Sequence, residues 1–268
     1  KKKGVKKVFY SITDLDERSK NKAQNILKKK KIITKKFILK KKGLGFYNSY
    51  NRFKKKQLPV IDAKIAISKD YYTNNRKKKW ITNEKSRKLT HLLRSRYNAL
   101  LSTSKTINND NSLLNCRISG LLNKSPDLII LDRNLIIKKN LNIFKKKINR
   151  KIYLYTSKIN QNKIKWLKKN KVKVIITKKM KSKEDFNKLF QSFIKLKYSR
   201  IIVESGLTFI NFLMINELIN NIYIFKTNLN LNKKGFNNSS AKLLKKIRLK
   251  NKLKVFLDND NVYFERLN

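Results

Sequence analysis

From Leu58 onward the chain alternates short apolar runs with stretches of helical period, and this alternation constrains the fold more than any other feature. Pro59-Val-Ile-Asp-Ala-Lys-Ile-Ala-Ile reads as a strand fit for a sheet interior, because its apolar residues are nearly continuous rather than alternating. Further strands are expected at Ala99 to Ser102, Asp127 to Leu131, Ile152 to Thr156, Val172 to Ile176 and Ile201 to Val203. Helices are expected between them, at about Gln161 to Lys169, Lys183 to Lys197 and Thr208 to Leu218. An earlier one, about Asn83 to Arg96, carries Leu89, Leu92 and Leu93 on one face. Such an order predicts an α/β domain around a largely parallel central sheet flanked by helices. Ile222 to Phe225, Leu253 to Leu257 and Val262 to Arg266 have little helix between them and are expected as antiparallel edge strands.

The first 56 residues have a different texture. A short strand at Val8 to Ile12, a helix carrying Ala23, Ile26 and Leu27, and a strand at Ile32 to Leu39 are expected. An aromatic helix opening at Gly43 would then place Phe46, Tyr47, Tyr50 and Phe53 at helical spacing, read as packing, with Lys54 to Gln57 as a linker. The chain starts at Lys1 rather than Met, with an apolar segment almost at once, and reads as a fragment.

Lys and Arg number 69 against 16 Asp and Glu, a formal charge of +53. A field of that sign attracts phosphate-bearing ligands, nucleic acid or anionic surfaces. Lys runs recur along the whole chain beside abundant Asn and Ile, however, as a compositional bias of the genome would produce, so nucleic acid is expected to bind non-specifically through charge. The single cysteine, Cys116, rules out an internal disulfide and suits a cytoplasmic setting. No apolar run approaches the roughly 20 residues that span a bilayer, and no membrane role or metal site is expected.

A phosphate loop of P-loop type and a three-glycine dinucleotide fingerprint are both missing, and the chain has only six glycines. His91, the one histidine, lies on the expected helix and reads as a surface or partly packed residue. The most informative local pattern is Ile201-Ile-Val-Glu-Ser-Gly-Leu-Thr-Phe, a buried strand, a carboxylate at its end, a small turn and a helix. It sets backbone N–H groups and the positive end of a helix at the carboxyl edge of a parallel sheet, where phosphates and cofactors bind. A second cluster, Trp80, Arg94, Thr106, Asp110 and Arg117, offers an aromatic surface and two guanidinium forks able to clamp a phosphorylated substrate.

Taken in order, Ala63-Lys-Ile-Ala-Ile-Ser-Lys-Asp, Trp80-Ile-Thr-Asn-Glu-Lys-Ser-Arg, His91-Leu-Leu-Arg-Ser-Arg-Tyr-Asn-Ala-Leu-Leu, Ser104-Lys-Thr-Ile-Asn-Asn-Asp-Asn, Leu131-Asp-Arg and Val203-Glu-Ser-Gly-Leu-Thr resemble the reductase half of the bifunctional riboflavin-biosynthesis deaminase/reductase. The resemblance implies a dihydrofolate-reductase-like α/β fold over residues 57–268 and hydride transfer from NADPH to the sugar C1 of 5-amino-6-(5-phosphoribosylamino)uracil, in a homodimer. It implies that Ala66, Trp80, Thr106, Asp110, Arg133, Gly206, Leu207, Thr208, Phe209, Ile210, Asn211 and Phe212 line the cofactor. Lys64, Lys78, Arg94, Leu114, Arg117 and Glu204 would face the phosphorylated pyrimidine, with Arg94 and Arg117 on its phosphate. Asp110 and Glu204 are the candidates for the catalytic proton role. Departures occur at Ser68-Lys-Asp-Tyr, Asp110-Asn-Ser and Glu204-Ser-Gly-Leu, where the family has Ser-Leu-Asp-Gly, Asp-Asp-Pro and Glu-Gly/Ala-Gly-Pro. Residues 1–56 resemble the tail of the family's cytidine-deaminase-like domain. Zinc-dependent deamination needs a His or Cys plus two further Cys, so no deaminase activity is expected. The competing readings are a basic nucleic-acid-binding protein and a related pyrimidine or pterin reductase.

Overall fold

The computed structural model describes residues 4–16, 18–146, 148–177 and 180–267. Its strands are β1 (Lys7–Phe9), β2 (Ile33–Lys35), β3 (Val60–Ile67), β4 (Asn74–Asn75), β5 (Ala99–Thr103), β6 (Asp127–Leu131), β7 (Ile152–Thr156), β8 (Val172–Ile176), β9 (Arg200–Val203), β10 (Asn221–Thr227), β11 (Gly235–Phe236) and β12 (Asp260–Arg266). Its α-helices are α1 (Lys22–Lys29), α2 (Lys40–Phe46), α3 (Asn48–Lys56), α4 (Glu84–Arg94), α5 (Ser104–Asp110), α6 (Asn142–Lys145), α7 (Gln161–Lys169), α8 (Lys183–Lys195), α9 (Leu207–Ile215) and α10 (Lys242–Lys246). The chain divides into two compact units, one running up to Val60 with Phe190–Ser199, the other comprising Ile61–Leu189 and Arg200–Asn268. Among the described residues no helix is long and apolar enough to cross a membrane.

The larger unit is built on an eight-stranded sheet ordered β12-β10-β3-β9-β5-β6-β7-β8. The pairs β9–β5, β5–β6, β6–β7 and β7–β8 are parallel, and β10 is parallel to β3. Leu100, Leu128, Ile130, Leu154 and Ile202, all fully buried, form the centre of its core. Nearly continuous apolar strands are what a sheet covered on both faces requires. The chain leaves β5 for β6 on one side, whereas it leaves β9 through α9 for β10 on the other. The crevice at the carboxyl ends of β5 and β9 is therefore a topological switch point, the place where open α/β sheets bind ligands.

α4 packs Leu93 and, less deeply, Leu89 of the expected leucine face on the core, but it also buries a polar stripe. Its buried positions include Ser86, Thr90, His91 and Arg94, and only Leu93 of the three leucines is fully buried. Asn83 caps it, accepting from the Ser86 amide at 2.9 Å, with Glu84 in the first turn and Arg94 in the last, the arrangement the helix dipole favours. A buried polar stripe on a helix needs partners, and those partners make the site.

Of the three expected antiparallel edge strands, β12 alone is one. β10 lies inside the sheet, parallel to β3 and antiparallel only to β12. Leu253 to Leu257 forms no strand beyond the bridge of Lys252 to Tyr263. Leu253 N–H donates to Val262 O at 2.9 Å beside that bridge, but Val255 N–H then turns back onto Leu253 O, so the pairing with β12 goes no further.

In the smaller unit β1 and β2 pair in parallel. The strand expected to reach Leu39 stops at Lys35, because Phe37 and Leu39 adopt left-handed backbone with φ of 65° and 54°. The aromatic helix is two helices breaking at Tyr47, and the expected linker at Lys54 to Gln57 is the end of α3, closed by Gln57 at φ 50°. Phe46 is 81% exposed, so it does not have the packing role expected of it.

Candidate active site

β5 and β9 end side by side, and the residues after each are tied to the other. Glu204 N–H donates to Leu101 O at 3.1 Å, and the Ser102 hydroxyl donates to Glu204 O at 2.6 Å. Thr103 Oγ1, Thr106 Oγ1 and Ser205 Oγ form a triangle of hydroxyls with every side 3.0 Å. Gly206 N–H donates to Thr106 Oγ1 at 3.1 Å. Gly206 then starts α9 with no side-chain cap, leaving first-turn amides at a corner where two cavities share Thr106, Ser205 and Gly206 in their walls.

The first cavity, about 450 Å³, is lined by Met180, Phe186, Phe209 and Phe212, with Lys105 and Arg133 as cations. The Phe209 and Phe212 rings are nearly parallel and stacked, with centroids 6.3 Å apart, and Phe186 packs on both. Of the residues expected at the cofactor, Thr106, Arg133, Gly206, Thr208, Phe209 and Phe212 line this cavity. The expected continuous run from Gly206 to Phe212 is divided by the helical period. Leu207 faces the second cavity, Ile210 is fully buried, and Asn211 turns its amide onto Ser239 Oγ and Ser240 O.

The second cavity, about 480 Å³, is polar and charged. Lys64, Arg94, Leu114, Arg117 and Glu204 lie in its wall with Ala66, Trp80 and Asp110. Arg94 and Glu204 form a two-pronged ion pair, Nε to Oε1 at 2.6 Å and Nη2 to Oε2 at 2.9 Å, with both side chains about 10% exposed. Arg94 Nη1 donates to Asn115 O at 3.0 Å. Burial alone would raise the Glu204 carboxyl, but Arg94 outweighs it and holds the group below the usual carboxylate range. Lys64 places its ammonium 5.2 Å from the Phe225 ring centroid, and burial pulls its pKa down while Glu204 opposes the shift. Asp110 goes the other way. Although its residue surface remains exposed, its partly desolvated carboxyl is pushed up, with Lys79 pulling back.

Lys78 is exposed and lines neither cavity, whereas its neighbour Lys79 reaches the second. The Trp80 ring, 52% exposed, is flanked by Lys79 and Arg87 at 5.1 Å and 5.3 Å. His91, expected as a surface or partly packed residue, is 8% exposed and in contact with both Arg94 and Arg117. Its position three residues before Arg94 on one helix was the available signal.

The family model described as the RibD C-terminal domain matches residues 59–228. The riboflavin biosynthesis protein RibD of Buchnera aphidicola subsp. Baizongia pistaciae is 27% identical over 242 residues, 83% of this chain and 63% of its own length. The chain thus spans less than two thirds of that relative. A 5-amino-6-(5-phosphoribosylamino)uracil reductase from Buchnera aphidicola subsp. Acyrthosiphon pisum is 29% identical over 164 residues, 55% of this chain and 73% of the relative. The solved structure of a diaminohydroxyphosphoribosylaminopyrimidine deaminase/5-amino-6-(5-phosphoribosylamino)uracil reductase from Thermotoga maritima superposes with a TM-score of 0.77 at 18% identity. It covers 99% of this chain and 72% of its own, and it shares the α/β fold with a mostly parallel sheet.

Proposed function

The chain belongs to the RibD C-terminal domain family, and from that premise we propose that it reduces 5-amino-6-(5-phosphoribosylamino)uracil with NADPH, converting the ribosyl group to ribityl. The observation that carries the reading is the pair of cavities joined at the Thr106-Ser205-Gly206 corner, one apolar and aromatic, the other charged. The first suits a cofactor: aromatic side chains, uncapped amides at the start of α9, and the exposed Arg133 and Lys105 for phosphate. Bound there, NADPH would supply the hydride. In the second cavity the Arg94–Glu204 pair offers a fixed, ionised carboxylate to the N–H groups of a pyrimidine, and the exposed Arg117 suits its phosphate.

Reduction at the sugar carbon also needs a proton. Asp110, whose pKa is raised, is the carboxyl better suited to carry one, whereas Glu204, held ionised by Arg94, is suited to recognition and alignment. Lys78 leaves the proposed substrate set and Lys79 replaces it. The Arg94 guanidinium, expected on the phosphate, is taken up by Glu204 and Asn115 O, and the exposed Arg117 alone favours this phosphorylated substrate over those of a related pyrimidine or pterin reductase. The coverage of nearly the whole chain by the two-activity Thermotoga enzyme supports residues 1–56 as deaminase-type structure. The same reading includes a homodimer in the cytoplasm, with nucleic acid held only through charge and released steeply by salt.

The test is direct. Purified chain, NADPH and 5-amino-6-(5-phosphoribosylamino)uracil should consume NADPH at a rate proportional to protein, with a ribitylamino product. Turnover of an unphosphorylated pterin instead, or none with either, would remove the assignment.

A further inference from the structure

His91 lies between two cations and a carbonyl, and its proton can be placed by elimination. Nδ1 is 2.8 Å from Asn115 O, which can only accept, so Nδ1 bears the hydrogen. Nε2 then presents a lone pair, and two donors meet it: Arg117 Nε at 3.2 Å and Nη2 at 3.0 Å. Arg94 Nη1, 3.3 Å from Nδ1, cannot donate to a nitrogen that is itself protonated, and its bond to Asn115 O at 3.0 Å accounts for it.

The geometry points to His91 as a positioning residue, a neutral Nδ1–H imidazole that grips one edge of the Arg117 guanidinium and leaves its other N–H groups for an anion in the charged cavity. Arg117 is exposed and long, with many rotamers to lose, so an acceptor that fixes its plane lowers the ordering cost of each ligand bond. A protonated ring would do the opposite, pointing N–H at N–H beside two guanidinium groups. Burial, reinforced by Arg94 and Arg117 and opposed by the Asn115 carbonyl and Glu204, pulls the His91 pKa to about 4, which keeps the acceptor in place near neutrality. Only the identification of the anion as the substrate's phosphate rests on the functional reading above.

Because the chain has one histidine, imidazole ¹⁵N signals report this ring alone. This 268-residue chain should show a protonated Nδ1, an unprotonated Nε2 and no titration in the ordinary histidine range. An Nε2–H tautomer, or titration near the unperturbed value of about 6.5, overturns the proposal. His91→Gln keeps an acceptor oxygen near the Nε2 position, whereas His91→Asn reaches only the Nδ1 position. His91→Asn should raise the KM for the phosphorylated substrate about tenfold with kcat little changed, and His91→Gln should restore most of it. Titration of inorganic phosphate into wild type and both variants repeats the comparison without turnover, so an inactive wild type would count against the reaction and not against the grip on Arg117. Equal phosphate affinity in wild type and His91→Asn, or a Gln variant as weak as the Asn one, overturns it. If both variants unfold, the ring's tautomer in the wild type decides.

Discussion

The cavity walled by Phe186, Phe209 and Phe212 and the cavity holding Arg94, Arg117 and Glu204 share one corner but are stabilised by opposite physics. Aromatic contact is non-directional, so loss of one ring leaves the others packed. The charged wall consists of directional pairs between α4, the loop before β6 and the end of β9, and each buried charge there depends on its partner. A site of this kind tolerates change on one side and not on the other.

The hardest test of that contrast is Glu204→Ala. Removing the carboxylate leaves the Arg94 guanidinium, 9% exposed, without its ion-pair partner, and unfolding in urea should show a loss of about 3–5 kcal/mol. A loss under about 1 kcal/mol would mean that the pair is not what holds the corner. Next in size is Arg117→Ala. That side chain is exposed, so stability should stay within about 0.5 kcal/mol of wild type. The KM for the phosphorylated substrate should rise about 10- to 100-fold, with a much smaller change in kcat. An unchanged KM would separate Arg117 from the phosphate.

Arg133→Ala probes the other cavity. Loss of a charge-assisted contact should weaken NADPH binding about tenfold, read by fluorescence titration, and leave the KM for the pyrimidine alone. An effect on both ligands would show that the two cavities are one site energetically, and the comparison would fail.

How much of this could be read beforehand depended on whether the cause was local. β6, β7, β8 and α7 lie at the expected residues because strand content, helical period and the Asn160 cap are properties of neighbours. Leu253 to Leu257 is apolar enough to read as a strand, but its pairing with β12 ends where Val255 N–H turns back onto Leu253 O. The strand-carboxylate-turn-helix pattern at Glu204 was legible as a strand end followed by a turn, which in the fold opens onto two cavities. The environment of His91 was not, since Asn115 and Arg117 lie 24 and 26 residues away and meet it only in the fold. Lys78 and Lys79 are chemically identical, and only the backbone register decides which one reaches the cavity.

The smallest effect separates the two halves of the charged wall by pH. The His91 pKa is depressed from an ordinary 6.5 to about 4, so the unfolded chain takes up a proton that the folded chain refuses. Stability from this group is therefore intact above about pH 6.5 and declines as pH falls towards 4. Glu204 is also depressed, but from an ordinary glutamate value of 4.5, so its contribution is lost only below that point. Asp110, raised by burial, has the opposite sign and stabilises the fold as it protonates, which blunts the acid loss. Melting curves across pH 4 to 7 should thus slope downward towards acid in the wild type and more weakly in His91→Gln, because the glutamine does not titrate. Parallel slopes would show that His91 gains its proton as easily in the fold as outside it, and the cation-flanked ring would then have no electrostatic part in fixing Arg117.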